Sequence, residues 1–151
     1  MAKAWEPAKD VKLLSGKPVM GSYLGRIIEA LSERMIPDGG ELPISINETN
    51  AYAFLAKYLS GLDSGVRFGI KALLTAFDLA PFLFIGRLSR FVSLTPQEQE
   101  LYMMDWYASR IYYRRMAMVL LKTLIGMGFY NDPKVLAAIG FKQKCREGVA
   151  K

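Results

Sequence analysis

Residues 94–130 read LTPQEQELYMMDWYASRIYYRRMAMVLLKTLIGMGFY, and the first five decide how the chain folds. Thr95 suits the N-cap, Pro96 the first helical position, and Glu98 completes a capping box. No other local signal in the chain is as strong. A helix that starts here can run, with or without a kink, as far as Gly126 or Gly128.

Outward from that segment the same period recurs. Upstream, Val66, Ile70, Leu73, Leu74 and Phe77 fall on one helical face behind Asp63 or Ser64 as cap, and Pro81 is expected to break or kink the chain before an apolar turn over 82–85. Tyr23, Leu24, Ile27, Ile28, Leu31 and Met35 form one stripe over residues 21–36, stopped by Pro37 and Asp38-Gly39-Gly40. A loop with Pro43 leads to about Asn47, and a helix follows over Thr49–Ser60, closed by Gly61. Downstream, Asp132-Pro133 starts a short helix that Gly140 ends. Only ISI at 44–46 hints at extended chain. The expected fold is all-α: a single-domain irregular bundle of about five to seven helices. An N-terminal arm (1–20) and a basic C-terminal tail (142–151) flank a helical domain over 21–141.

Composition narrows the chemistry. The 151 residues include no histidine, which excludes Ser-His-Asp and Cys-His catalysis, histidine-ligated zinc and axial-histidine haem. Cys145 stands alone between Lys144 and Arg146, so no intramolecular disulfide, CxxC pair or cysteine metal site can form; a free thiol is the plain reading. No GxGxxG or P-loop is present, and the 14 carboxylates are scattered, with Glu98, Glu100 and Asp105 on what reads as a solvated helix start. The catalytic, cofactor-binding and metal-binding inventories are therefore all expected to be empty.

No stretch reads as a membrane span: residues 70–86 carry Lys71, Asp78 and Pro81, and residues 116–130 carry Lys122. No targeting segment is visible in residues 1–20. The net charge of +6 is concentrated at the ends. Residues 1–20 hold four lysines and two acids, residues 141–151 four basic residues and one acid, and the body 12 basic against 11 acidic. A basic face for nucleic acid is not expected.

The densest unusual stretch is DWYASRIYYRRM, 105–116. On a continuous helix Trp106 and Arg110 lie at i, i+4, as do Arg110 and Arg114. That spacing fits guanidinium stacking beside a solvated basic face, and it fits equally a partner surface, because Trp, Tyr, Met and Arg are enriched at interfaces. Tyr102, Tyr107, Tyr112 and Tyr113 point in several directions, more than one core easily buries. The helix over 116–130 is apolar almost all round, so it is either central to the bundle or covered by another protein.

Two longer stretches carry a resemblance. RIIEALSERMIPDGG (26–40), with its loop and AYAFLAKYL helix, resembles the N-terminal half of the gluconate 2-dehydrogenase subunit 3 family. The segment from Phe91 to Phe141 is similar to the end of that family. It is also similar to the helical region before the flavin domain of long-chain fatty alcohol oxidases. The W-x-x-S-R element at Trp106–Arg110 and the ending Asp132-Pro133 to Ala138-Ile139-Gly140-Phe141 are its most specific parts. The resemblance implies a non-catalytic helical small subunit that binds and stabilises or assembles a flavoprotein dehydrogenase of the glucose–methanol–choline type, acting on an alcohol, sugar or sterol hydroxyl. FAD is then expected in the large partner and no cofactor in this chain, within a hetero-oligomer. Trp106, Tyr107, Arg110, Tyr113, Arg114, Arg115, Tyr130 and Phe141 are the expected partner interface. Family members often carry a twin-arginine export signal on this subunit; here Arg114-Arg115 lies deep in the chain, so the expected compartment is the cytoplasm, free or membrane-associated, and the periplasm only if the partner carries the signal. A peripheral membrane-binding adaptor and a transient assembly chaperone are the alternatives.

Overall fold

The structure, a computed structural model, describes residues 10, 12, 16–84 and 89–141, with no account of the side chains of 82–84. Cys145 and the basic tail 142–151 lie outside the described residues. Six α-helices are present among them: α1 (Gly21–Met35), α2 (Ala51–Gly61), α3 (Ser64–Phe84), α4 (Pro96–Tyr107), α5 (Tyr112–Tyr130) and α6 (Pro133–Ala138). Two 3-10 turns, Ile46–Glu48 and Phe91–Ser93, punctuate the connections. The fold is the expected all-α bundle. The described residues contain no strand, only an isolated bridge between Lys12 and Pro18, and Ile46 of the ISI segment is buried in a 3-10 turn.

The local signals act where they stand. Thr95 accepts from the Glu98 N–H and Glu98 returns to the Thr95 N–H at 3.0 Å, closing the capping box of α4. Asp132 caps α6 through the Lys134 N–H. The start of α1 has no cap of its own; Asp10, ten residues upstream, accepts from the Met20 and Gly21 N–H groups. Val19 and Met20 are buried with the stripe of α1, so the packed body takes in the end of the arm.

Helix α5 sits against α2 and α4, with α1 and α6 also in contact, while α3 packs on α1 and on the 91–93 turn. The close approach of α5 to α2 depends on Gly128. A Cβ there would stand 3.0 Å from the Ala51 carbonyl oxygen and 3.2 Å from Leu55 Cγ. Between α1, α2, α3 and α5 runs a void of about 20 Å³, lined by apolar side chains such as Leu31, Leu55, Leu74 and Leu121. It has room for about one water and offers it no polar partner.

Four expectations are corrected. The helix from Thr95 does not run on: α4 ends at Tyr107 and α5 begins at Tyr112. Ser109 breaks it, its Oγ accepting from the Ile111 N–H and its carbonyl from Arg115 Nη1 at 2.6 Å, a local alternative to the helical ladder. Gly126 and Gly128 do not stop α5, which runs through both to Tyr130. Pro81 does not break α3, which continues to Phe84. Val66 is not core: it is 54% exposed, with Phe68 more so, because the first turn of α3 reaches past its neighbours.

Candidate functional site

Helix α5 has two apolar faces. Ala117, Met118, Leu121, Leu124, Ile125, Gly128 and Phe129 turn inward and are buried. Tyr112, Tyr113, Met116, Val119, Leu120 and Tyr130, with Thr123 among them, follow at helical spacing on the opposite side and are exposed. From Tyr112 to Tyr130 that outward stripe is about 27 Å long at 1.5 Å per residue. Thr123 and the half-buried Gly126 and Met127 interrupt it before Tyr130, but a cluster of exposed aromatic and aliphatic side chains of this kind marks a contact surface. The sequence reading offered core or cover for this helix; its inward side is core and its outward side is exposed.

The expected interface residues do not all fall on one surface. Trp106 belongs to the core. It is only 6% exposed, packed edge-on against Phe77 with ring centroids 4.8 Å apart. The expected pairing of Trp106 with Arg110 does not form, because the break at Ser109 ends the helix between them. Arg114 takes the place instead, its guanidinium 4.9 Å from the Trp106 ring, bonded to Asp105 at 2.6 Å and to Ser109 Oγ at 3.3 Å. Trp106 and Arg114 are thus parts of the corner that joins α4 to α5. Tyr107, half-buried on the last turn of α4, has its hydroxyl pKa raised by burial.

Tyr113 and Tyr130 lie on the outward stripe, Tyr113 with 82% of its surface free. Arg115 borders it, and Arg110 is exposed in the corner just before the helix. Phe141 is exposed past the end of α6, its N–H donating to the Leu136 carbonyl after Gly140 has turned with φ +73°. Met116, Val119 and Leu120 completed the surface unnoticed. The signal was available: residues 112, 113, 116, 119, 120 and 123 make a second stripe on the same helical wheel as the core stripe.

Charge is lopsided here. Residues 108–131 carry Arg110, Arg114, Arg115 and Lys122 and no acidic residue. Arg114 is held by Asp105, and Arg115 and Lys122 are exposed along one edge of the stripe. A shallow groove of about 490 Å³ lies beside α2, lined by Phe54, Lys57, Tyr58, Gly61, Leu62 and Asn131. Among the described residues no three His, Cys, Asp or Glu side chains gather as a metal site would require. No described helix is long and apolar enough to cross a membrane.

Two buried carboxylates hold the scaffold under this face. Asp78 accepts from the Tyr23 hydroxyl at 2.8 Å and from the Val92 N–H at 3.1 Å, tying α1 and α3 to the 91–93 turn. Burial, and then Asp78 itself, raise the Tyr23 pKa. Asp132 accepts from the Asn50 N–H at 2.8 Å as well as from Lys134, joining the start of α2 to the start of α6. Compared with protein-family models, with curated proteins and with solved structures, the chain matches none.

Proposed function

We propose that this chain is a non-catalytic small subunit that binds a FAD-dependent dehydrogenase of the glucose–methanol–choline type and keeps it assembled, using the outward face of α5. The observation that carries the reading is the uncovered stripe from Tyr112 to Tyr130, whose tyrosines, methionine and bordering arginine are the residue types enriched at protein interfaces. The resemblance over residues 21–141 supplies the class of partner. The void between the helices, about 20 Å³ and wholly apolar, is too small for a flavin. In this reading the flavin and the catalytic groups belong to the large subunit.

Co-expression with the protein encoded beside it, and purification through a tag on this chain, tests the reading. The expected product is a yellow complex that stays together through gel filtration. A colourless, monodisperse species of 16.9 kDa under the same conditions overturns it.

A further inference from the structure

We infer that the outward face of α5 receives an amphipathic helix of the partner protein, laid along α5, with acidic side chains two turns apart facing Arg115 and Lys122. This rests on the small-subunit reading for the identity of the partner, but the shape and charge of the surface stand without it. The stripe lies along one face of a single helix, and such a face can pack its side-chain ridges against another helix at about 8–10 Å between axes. Arg115 and Lys122 are seven residues apart on one edge, which places them two turns, about 10.5 Å, from one another. A second helix running alongside has the same rise, so acidic residues seven apart on its near edge meet both cations at once. Arg115 commits one N–H to the Ser109 carbonyl and remains exposed.

Charge also argues against a second copy of this chain as the occupant. A second copy laid antiparallel would set Arg115 against Lys122 of its mate, with no acidic residue between 108 and 131 to relieve the repulsion.

Two designed probes test the inference without the flavoprotein. One is a labelled helical peptide of 19 residues, the length of α5, with a leucine stripe edged by glutamates at seven-residue intervals; the other carries lysines in their place. The glutamate peptide should bind the full chain at least about tenfold more tightly than the lysine peptide. The preference should vanish in R115E/K122E and be clearly reduced in K122E alone, which leaves the Arg115 bond to the Ser109 carbonyl in place and should match the parent by circular dichroism. Absence of binding, or equal binding of both peptides, overturns the inference. So does sedimentation with phosphatidylglycerol vesicles that R115E/K122E abolishes, or concentration-dependent dimerisation of the chain alone. In the co-expressed complex, a photocrosslinker placed at Tyr113 should mark an acidic helical segment of the flavoprotein. A yellow complex that survives R115E/K122E unchanged would sink this inference and leave the small-subunit reading standing.

Discussion

The Tyr102 hydroxyl donates to the Phe77 carbonyl at 2.8 Å, and the residue four positions after Phe77, whose N–H would ordinarily take that carbonyl, is Pro81. The bond therefore supplies from α4 what the proline withholds within α3. This is how α3 tolerates a proline that should have ended it. The two residues also share an aromatic cluster: Phe77 meets Phe91, Tyr102 and Trp106 edge-on, with centroids 4.9, 5.0 and 4.8 Å away. Burial pushes the Tyr102 hydroxyl above the ordinary tyrosine pKa, so it keeps its proton and can donate at neutral pH.

A first prediction follows from that geometry. Tyr102→Phe should cost about 1–2 kcal/mol, because it leaves a buried carbonyl without a donor. In a Pro81→Ala background an N–H is restored at position 81, and the cost of Tyr102→Phe should fall below about 0.5 kcal/mol. Urea unfolding of the four proteins in this cycle, followed by circular dichroism, measures the coupling. Equal costs in both backgrounds would mean that the hydroxyl does not compensate for Pro81.

The two glycines of α5 should respond in opposite directions. A Cβ at Gly126 meets nothing nearer than Tyr130 Cδ2 at 4.0 Å, so Gly126→Ala should stabilise by about 0.5–1 kcal/mol through helix propensity. At Gly128 the nearest atom is the Ala51 carbonyl oxygen at 3.0 Å, part of a backbone that cannot step aside cheaply. Gly128→Ala should therefore cost about 1–3 kcal/mol as α5 is pushed from α2. Thermal melts of the two variants against the parent decide it.

These contrasts show what was legible in the residues. Caps are local, and Thr95, Pro96, Glu98 and Asp132-Pro133 could be read because each signal and its partner lie within four positions. The break at Ser109 escaped because Arg114 and Arg115, which hold it, lie beyond the break and look like ordinary helical residues. Helix α3 passing through Pro81 depends on a hydroxyl 25 positions from the carbonyl it serves, and the burial of Asp78 on a tyrosine 55 positions away. Of the candidate surface, Tyr112 and Tyr113 were recognisable as aromatics in excess of what a core can hold, while Tyr130 entered only through the resemblance. Trp106 and Arg114 were assigned to it by residue type, as kinds enriched at interfaces, and residue type does not reveal that the corner at Ser109 folds them against the core.

That reassignment changes what the tryptophan should do when removed. Trp106→Ala empties a site that is 6% exposed and ringed by aromatic neighbours, so it should destabilise the isolated chain by about 3–5 kcal/mol. Tyr113→Ala, on the outward stripe, should change stability by less than about 0.5 kcal/mol. The same pair should behave in reverse when partner association is compared between folded variants: Tyr113→Ala weakens it, and any loss with Trp106→Ala tracks its unfolding. Denaturant titration of the free chain, beside pull-down of the proposed partner, separates the two effects.

Asp132 should give the fold a sensitivity to acid. The Asn50 N–H chiefly, and the Lys134 N–H and ammonium after it, hold its carboxyl below the ordinary value of 3.8 against the opposing effect of burial. A carboxylate with a depressed pKa in the folded state adds stability that is fully present above 3.8 and is lost as the pH falls through the lower, folded value. Asp132→Ala should cost about 1–2 kcal/mol at pH 7, since it uncaps α6 and strands the Asn50 N–H at the start of α2. Asp132→Asn keeps one acceptor oxygen for two donors and should cost about half as much. Its deficit relative to the parent should shrink below pH 4 and stay constant between pH 5 and 8, because asparagine does not titrate. Stability curves of both proteins from about pH 2.5 to 8 provide the measurement, and a deficit that grew on acidification would contradict the assignment of Asp132 as the charged tie between α2 and α6.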